Sequence, residues 1–482
     1  MRTKLVSIAS SLLPSLLIAL AACGGSSPAP AAPAPTGAGT GSAAGGAPTG
    51  DAAKPAVDQG PTAEEALAWV VSTIEAGGKP TEAELTARFA PAFLEKVPPA
   101  QLVQIFGMLA QQLPPIKTLK SEGKPPLELS ALLDTASGGV RASVQMTSTT
   151  PRQIAGLLFQ PATAEAPPRT YGDAVAQLTQ AGAHSQLFIA EIDKGTCKPY
   201  QNHNSLDRLA IGSTMKLWVL LALDEKLRTD KKLTWDSPVK IRDEAKSLPS
   251  GELQDVPAGT EVPLREVAGK MIAISDNTAT DHIIDLVGRE QVEKALDLAK
   301  HGEPAKDKPW LRTKELFALK LALTPAELDV YRKSGVAAKK KLLDGYRGRA
   351  IDVAQAVKDW TAPRMLDLEW FANGPDLCNV MAALGTRAGW KPESELLTIL
   401  GKNAGLPYDH ARWTYVGFKG GSEPGVMNLT WLAQRADGKW FVVTATVNDD
   451  QKPLDELLVA NAAGGALAIL GNEAAAAAPA KP

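Results

Sequence analysis

The sequence predicts an α+β protein with two folded domains, and three observations carry that prediction. A capping-box pattern at Thr62-Ala63-Glu64-Glu65 opens a segment in which Leu67, Val70, Val71 and Ile74 recur at i, i+3, i+4 and i+7, the spacing of one helical face. Val140, Ala142, Val144 and Met146 then alternate with Arg141, Ser143, Gln145 and Thr147, the period of a half-buried strand. Near the far end, 413–419, 426–435 and 440–447 read as strands, with an Asp437-Gly438 hairpin signal between the last two. At 482 residues the chain exceeds what one hydrophobic core spans.

The elements follow in order. Met1-Arg2-Thr3-Lys4 and the apolar run to Ala22 have the form of an export signal, residues 1–22. Its end, Leu20-Ala21-Ala22-Cys23, is similar to a bacterial lipobox. That similarity implies acylation of Cys23 and an exported, membrane-anchored lipoprotein facing the periplasm or the cell exterior, with the lipid as its membrane partner. Residues 23–61 are almost entirely Gly, Ala, Pro, Ser and Thr, a composition that buries no core and reads as a disordered tether. The small α+β domain spans 62–165, with a helix opening at Thr62 and running through Ile74, a second at 82–96 and a third at 100–113, the last between Pro98-Pro99 and Pro114-Pro115. Pro167-Pro168 links it to the second domain, 168–472. There a helix from Tyr171 leads into a strand at 187–192, a turn at Asp193-Lys194-Gly195 and a return through 196–203. A helix at 453–470 closes the domain, and 473–482 read as a disordered tail.

Composition excludes several classes of function. Lys plus Arg number 51 against 53 Asp plus Glu, so no long-range field draws in nucleic acid, and small-molecule partners are expected. Five scattered histidines show no paired metal-ligand spacing, and neither metal nor cofactor is expected. Beyond Cys23, two cysteines remain, Cys197 and Cys378; a bridge between them and two separate thiols both stay open.

Three motifs carry the chemistry: Ser213-Thr214-Met215-Lys216, Ser275-Asp276-Asn277 and Lys419-Gly420-Gly421-Ser422. Their order and spacing are those of S-x-x-K, S-D-N and K-T-G. Ser213 precedes the apolar run Leu217-Trp218-Val219-Leu220-Leu221, which sets it at a helix N-terminus with Lys216 on the same face. A serine needs a base to become a nucleophile, and a lysine serves only when desolvation or a neighbouring cation lowers its pKa. Lys419 stands where that cation is needed.

Over roughly 168–472 the chain resembles the class A β-lactamase and penicillin-binding-protein superfamily of serine hydrolases. The resemblance implies an antiparallel five-stranded sheet flanked by helices, acylation of Ser213, Lys216 as base and Ser275 as proton relay. It also implies substrate contacts from Asn277, Lys419, Gly421 and Ser422, with Asp276 bracing its turn, and a β-lactam-like or peptidyl substrate. The domain at 62–165 is similar in outline to the cystatin-like, steroid-isomerase-like domain of some two-domain lipoproteins and clavam-cluster hydrolases.

Two departures bear on substrate and turnover. Gly420 stands where the family carries a hydroxyl residue, removing one hydrogen bond to a substrate carboxylate. The deacylating glutamate of class A enzymes, followed four residues later by asparagine, is matched between 278 and 418 only by Glu369 with Asn373; Glu315 is a weaker candidate. The same site therefore fits a β-lactamase, a cephalosporin-type esterase, a D,D-peptidase, or a penicillin-binding sensor that acylates without turnover.

Overall fold

The structure is a computed structural model that describes residues 18–20 and 60–477, apart from 137, 164, 249, 347, 350 and 352–359. Cys23, most of the expected export segment and nearly all of the tether lie outside the described residues. The chain divides into two compact units, within 15–164 and from 165 onward.

The first unit packs helices against one antiparallel sheet. Thr62 caps α1 (Ala63–Glu75) by a capping box, and Ala66, Leu67, Val70 and Ile74 form its buried face. The single helix expected over 82–96 is two, α2 (Glu82–Arg88) and α3 (Pro91–Leu94). Pro91 holds Ala90 in the extended region, and the break turns Phe89 into the core. Helix α4 (Pro99–Gln112) follows. The strands are β1 (Ile18–Leu20), β2 (Lys117–Lys124), β3 (Glu128–Thr135), β4 (Gly138–Met146) and β5 (Ile154–Pro161), in the order β1-β5-β4-β3-β2. The alternating residues Val140, Ala142, Val144 and Met146 of β4 are all buried.

The second unit is built on a five-stranded antiparallel sheet, as the resemblance implies. Helix α5 (Tyr171–Ala181) leads to β6 (His184–Asp193) and β7 (Thr196–His203). The remaining strands come only after the whole helical segment that follows His203: β12 (Trp413–Glu423), β13 (Val426–Arg435) and β14 (Trp440–Asn448), in the order β12-β13-β14-β6-β7. One face is covered by α5 and a C-terminal helix, α15 (Glu456–Ala477), whose Leu458, Val459, Ala462, Ala463, Ala466, Leu467 and Leu470 are buried. Each such Val or Leu contributes about 1.5–3 kcal/mol. The helix runs past its expected end at 470 because alanines favour helix and Glu473 accepts hydrogen bonds from Tyr171 (3.0 Å) and Tyr200 (2.8 Å).

The other face carries a mostly helical layer. The short strand β8 (Leu209–Ala210) leads to the turn Gly212–Met215 and α6 (Lys216–Thr229). The hairpin of β9 (Pro238–Lys240) and β10 (Glu261–Pro263) precedes α7 (Leu264–Ala273), α8 (Asn277–Val287), α9 (Arg289–Leu298) and α10 (Thr313–Leu321). Helices α11 (Pro325–Lys333) and α12 (Val336–Tyr346) lead towards β11 (Phe371–Ala372), which pairs with β8. Helix α13 (Gly374–Arg387) is joined to β7 by a Cys197–Cys378 disulfide, which resolves the open cysteine question, and α14 (Glu395–Leu400) precedes β12.

Candidate active site

Ser213 lies in a single 3-10 turn between β8 and α6, half-buried, with Lys216 opening the helix. Two glycines let β12 press against that turn. Gly212 has φ +49°, and a side chain there would begin 3.2 Å from the Ser422 nitrogen. A side chain on Gly421 would begin 2.5 Å from the Ser213 nitrogen and collide with the Ile211 carbonyl. Thr214, buried beneath, donates to Asn428 Oδ1 (2.8 Å), which anchors the turn to β13.

Lys216 is fully buried. Its Nζ stands 3.0 Å from Ser213 Oγ, 2.9 Å from Ser275 Oγ, 2.6 Å from the Ser275 carbonyl oxygen and 2.7 Å from Asn277 Oδ1. The last two atoms only accept, so they take two N–H bonds; a neutral amine then has its lone pair left for a hydroxyl. Burial, reinforced by the Lys419 cation and opposed by Asp276 and Asp281, holds the Lys216 amine well below the usual lysine range. Lys419, 2 % exposed, donates to Ser275 Oγ (3.0 Å) and to its neighbour's carbonyl at Gly420; burial lowers its pKa to about 7. The Ser275 hydroxyl thus bridges two buried amines.

The segment that presents Ser275 is strained and braced. Ser275 has φ +57°, a left-handed backbone that costs a non-glycine residue about 1–3 kcal/mol. Its carbonyl accepts from Lys216 and from Ser250 Oγ (2.6 Å). Asp276, fully buried, accepts from the amides of Ala279 (2.7 Å), Glu252 (2.7 Å) and Leu253 (2.9 Å), a bracing arrangement. Asn277 Nδ2 donates to the Leu248 carbonyl (3.2 Å), which orients its Oδ1 towards Lys216. His282 packs, bonded to Arg242 N and Thr278 O.

The structure therefore brings together Ser213, Lys216, Ser275, Asn277, Lys419, Gly421 and Ser422. Glu369 does not join them. Its Oε1 receives a 2.5 Å bond from Lys320, which bonds Glu423 equally closely, all three buried. Among the described residues no carboxylate bonds Ser213 or Lys216, and Glu315 is taken up by Arg289 and Arg312. Burial pulls the Lys320 amine down, but the two glutamates more than offset it and its pKa is raised.

Sequence reasoning missed what ties these segments together. The hydroxyl of Thr313 at the start of α10 lies within hydrogen-bond distance of Asp281 (2.9 Å), Ser247 (2.8 Å) and the Asn277 carbonyl (3.3 Å). Two turns on, Lys320 reaches Glu369, beside the Trp370 carbonyl that holds Ile211 N (3.0 Å), and Glu423, beside Ser422. Helix α10 thus bonds the Ser275-Asp276-Asn277 segment directly and reaches only the flanks of the other two through Lys320, with no local spacing to announce it. Among the described residues no cluster of His, Cys, Asp and Glu could hold a metal ion, and no helix is long and apolar enough to cross a membrane.

Residues 171–302 match the sequence model of a family described as the beta-lactamase enzyme family. Similar solved structures include a beta-lactamase from Sphaerobacter thermophilus (20 % identity, 62 % of this chain and 95 % of that one, TM-score 0.43). A class A beta-lactamase from Bacteroides cellulosilyticus is also similar (15 %, 63 % and 100 %, TM-score 0.43), as is PBP-A (17 %, 64 % and 99 %, TM-score 0.41). No curated protein matches.

Proposed function

We propose that this chain is a β-lactamase-like serine hydrolase, acylated on Ser213, that opens a β-lactam or a related amide or ester. One observation carries the reading: the buried Lys216 amine has no carboxylate partner among the described residues and stands 3.0 Å from the Ser213 hydroxyl. The match of 171–302 to the beta-lactamase enzyme family supports it.

In the proposed reaction Lys216 Nζ takes the proton of Ser213 Oγ as that oxygen bonds the substrate carbonyl carbon. The amides of Ser213 and Ser422 receive the oxyanion, each donor lowering the barrier by about 3 kcal/mol. The proton then passes from Lys216 through the Ser275 hydroxyl to the leaving nitrogen or oxygen, and the C–N or C–O bond breaks. Asn277 and Lys419 hold the substrate. Water then hydrolyses the acyl ester and restores Ser213.

A specific observation favours slow release of that ester. Glu369, the candidate deacylating base, is engaged by Lys320, and no other carboxylate bonds Ser213 or Lys216 among the described residues. This supports a second reading, a penicillin-binding envelope sensor that holds its adduct; an esterase or D,D-peptidase would use the same site. Lipidation of Cys23 and export belong to the proposal, and the Cys197–Cys378 bridge supports an oxidising compartment.

The test is intact-mass spectrometry over minutes after adding benzylpenicillin, with a chromogenic cephalosporin assay alongside. A transient adduct supports the hydrolase and a persistent one the sensor. Ser213→Ala abolishes both adduct and turnover; hydrolysis surviving in that variant sinks the mechanism.

A further inference from the structure

Beneath the nucleophile the sheet carries a row of polar side chains where a core is ordinarily apolar. Gly421, Asn428, Thr446 and Gln186 are successive cross-strand partners on β12, β13, β14 and β6. Two residues along, Thr430 and Thr444 oppose each other on β13 and β14. Asn428, Thr430, Thr444, Thr446 and Gln186 are fully buried, as is Thr214 in the turn that lies on them.

The bonds of this cluster run in one consistent direction. Asn428 Oδ1 accepts from Thr214 Oγ1 and Thr430 Oγ1 (both 2.8 Å), and its Nδ2 donates to Thr444 Oγ1 (3.3 Å) and Thr446 Oγ1 (2.8 Å). With the Thr430 hydrogen given to Asn428, Thr444 donates to Thr430 (2.8 Å). Thr446 donates to Gln186 Oε1 (3.4 Å), and Gln186 Nε2 donates to the carbonyls of Asp207 (2.9 Å) and Asn204 (3.2 Å). Every polar hydrogen of these side chains is used, and a buried network satisfied in that way fixes one arrangement of the groups it joins.

Asn428 stands where the two segments carrying the proposed oxyanion donors meet. Its backbone pairs with Gly421, the residue before Ser422, and its side chain bonds Thr214, the residue after Ser213. The fit is close, since a side chain on Gly421 would begin 2.5 Å from the Ser213 nitrogen and 2.6 Å from that of Thr214. Ahead of Ser213 the chain is held from the same sheet: Asn448 Oδ1 accepts from Ala210 N (2.8 Å), and its Nδ2 donates to the Ala210 carbonyl (3.0 Å).

We propose that Asn428 is a positioning residue for acylation: through Thr214 it fixes the Ser213 amide relative to the Ser422 amide, so that both donors meet the oxyanion together. The proposal rests on the acylation of Ser213 and the oxyanion donors proposed above.

The test variant is Thr214→Val, which keeps the side-chain volume, removes one hydroxyl and leaves Asn428 Oδ1 its bond from Thr430. The limiting acylation rate and half-saturating concentration of benzylpenicillin are read by quenched intact-mass spectrometry, below the unfolding temperature of each variant. Thr214→Val lowers the limiting rate by about tenfold or more and moves the half-saturating concentration by less than about twofold. Thr214→Ser, which keeps the hydroxyl, recovers the rate to within about threefold of wild type. A boronic acid carrying the benzylpenicillin side chain reads the oxyanion separately. Ser213 Oγ adds to its boron, the hydroxyl proton passes to Lys216, and a boronate oxygen takes the oxyanion's place. Its affinity falls in Thr214→Val by about the factor lost in rate. Asn428→Ser, too short to reach Thr214, gives the same split and replaces Thr214→Val should that variant not fold. A wild-type rate in either folded variant overturns the positioning role while leaving Ser213 acylation intact. So does a loss that falls equally on half-saturation, or one that Thr214→Ser does not recover. The absence of an adduct from the wild-type protein, or an adduct that persists in Ser213→Ala, overturns the acylation reading itself and the positioning role with it.

Discussion

Two lysines in the second unit, Lys216 and Lys320, are equally buried and opposite in character. Lys216 meets only hydroxyl, amide and carbonyl oxygens, and burial leaves its amine well below the ordinary range. Lys320 meets two carboxylates, and despite the same burial its pKa is raised. Burial alone therefore does not decide the state of an amine; the charge of what it is buried against does. Without a carboxylate partner Lys216 can serve as a base. With two, Lys320 is a brace between the strand segments flanking Ser213 and Ser422.

The contrast can be broken most severely on the Lys216 side. Lys216→Met removes the base and lowers the rate of acylation by benzylpenicillin by about 10²–10⁴-fold, while thermal stability changes far less. Loss of fold rather than rate would mean that Lys216 is structural, like its counterpart.

Lys320→Met inverts that pattern. It leaves two buried carboxylates unpaired and destabilises the protein by about 3–5 kcal/mol, read by urea unfolding. In the intact protein burial, then the charge of Glu369, holds the Glu423 carboxyl well above the usual carboxylate range, so its folded-state pKa exceeds its unfolded one. Stability from such a group is fully present below the unfolded pKa and is lost as pH rises through the folded one. The penalty of Lys320→Met therefore grows with pH. Glu423→Gln costs less than Lys320→Met, because the amide oxygen still accepts from Lys320 and Glu369 still pairs it.

The smallest expected effect is a shift of pH profile. Acylation falls as pH drops, because Lys216 is a base only when unprotonated. The Lys419 cation lowers that amine, so Lys419→Met moves the acid limb to higher pH, read from single-turnover rates across the range. An unmoved limb would show that the two amines do not interact, despite sharing Ser275 Oγ.

Much of this was legible in the chain. The capping box at Thr62, the alternation over 140–146 and the Asp437-Gly438 turn are short-range signals, and each element they predict is present. The Pro91 break was equally local, yet apolar spacing across 82–96 masked it, and Phe89 went into the core at a kink instead of along one helix. The motif residues were legible because S-x-x-K and S-D-N each lie within one turn or loop. Glu369 had the right spacing to Asn373 and the wrong surroundings, since its partner Lys320 is 49 residues away. Thr214 and Asn428 are 214 apart, and Cys197 and Cys378 181 apart; no periodicity reports such pairs.

The sequence by itself determined the chemistry-bearing groups and their local setting: a serine ahead of an apolar helix with a lysine one turn on, a loop rich in polar side chains, and a strand with glycines beside a lysine. Only the tertiary structure decided what each group became. Whether an amine is a base or an ion-pair partner depends on dielectric and neighbouring charge, and both are set by segments that meet through folding. It took the meeting of distant segments to leave Lys216 without a carboxylate among the described residues and to give Lys320, on α10, both Glu369 and Glu423.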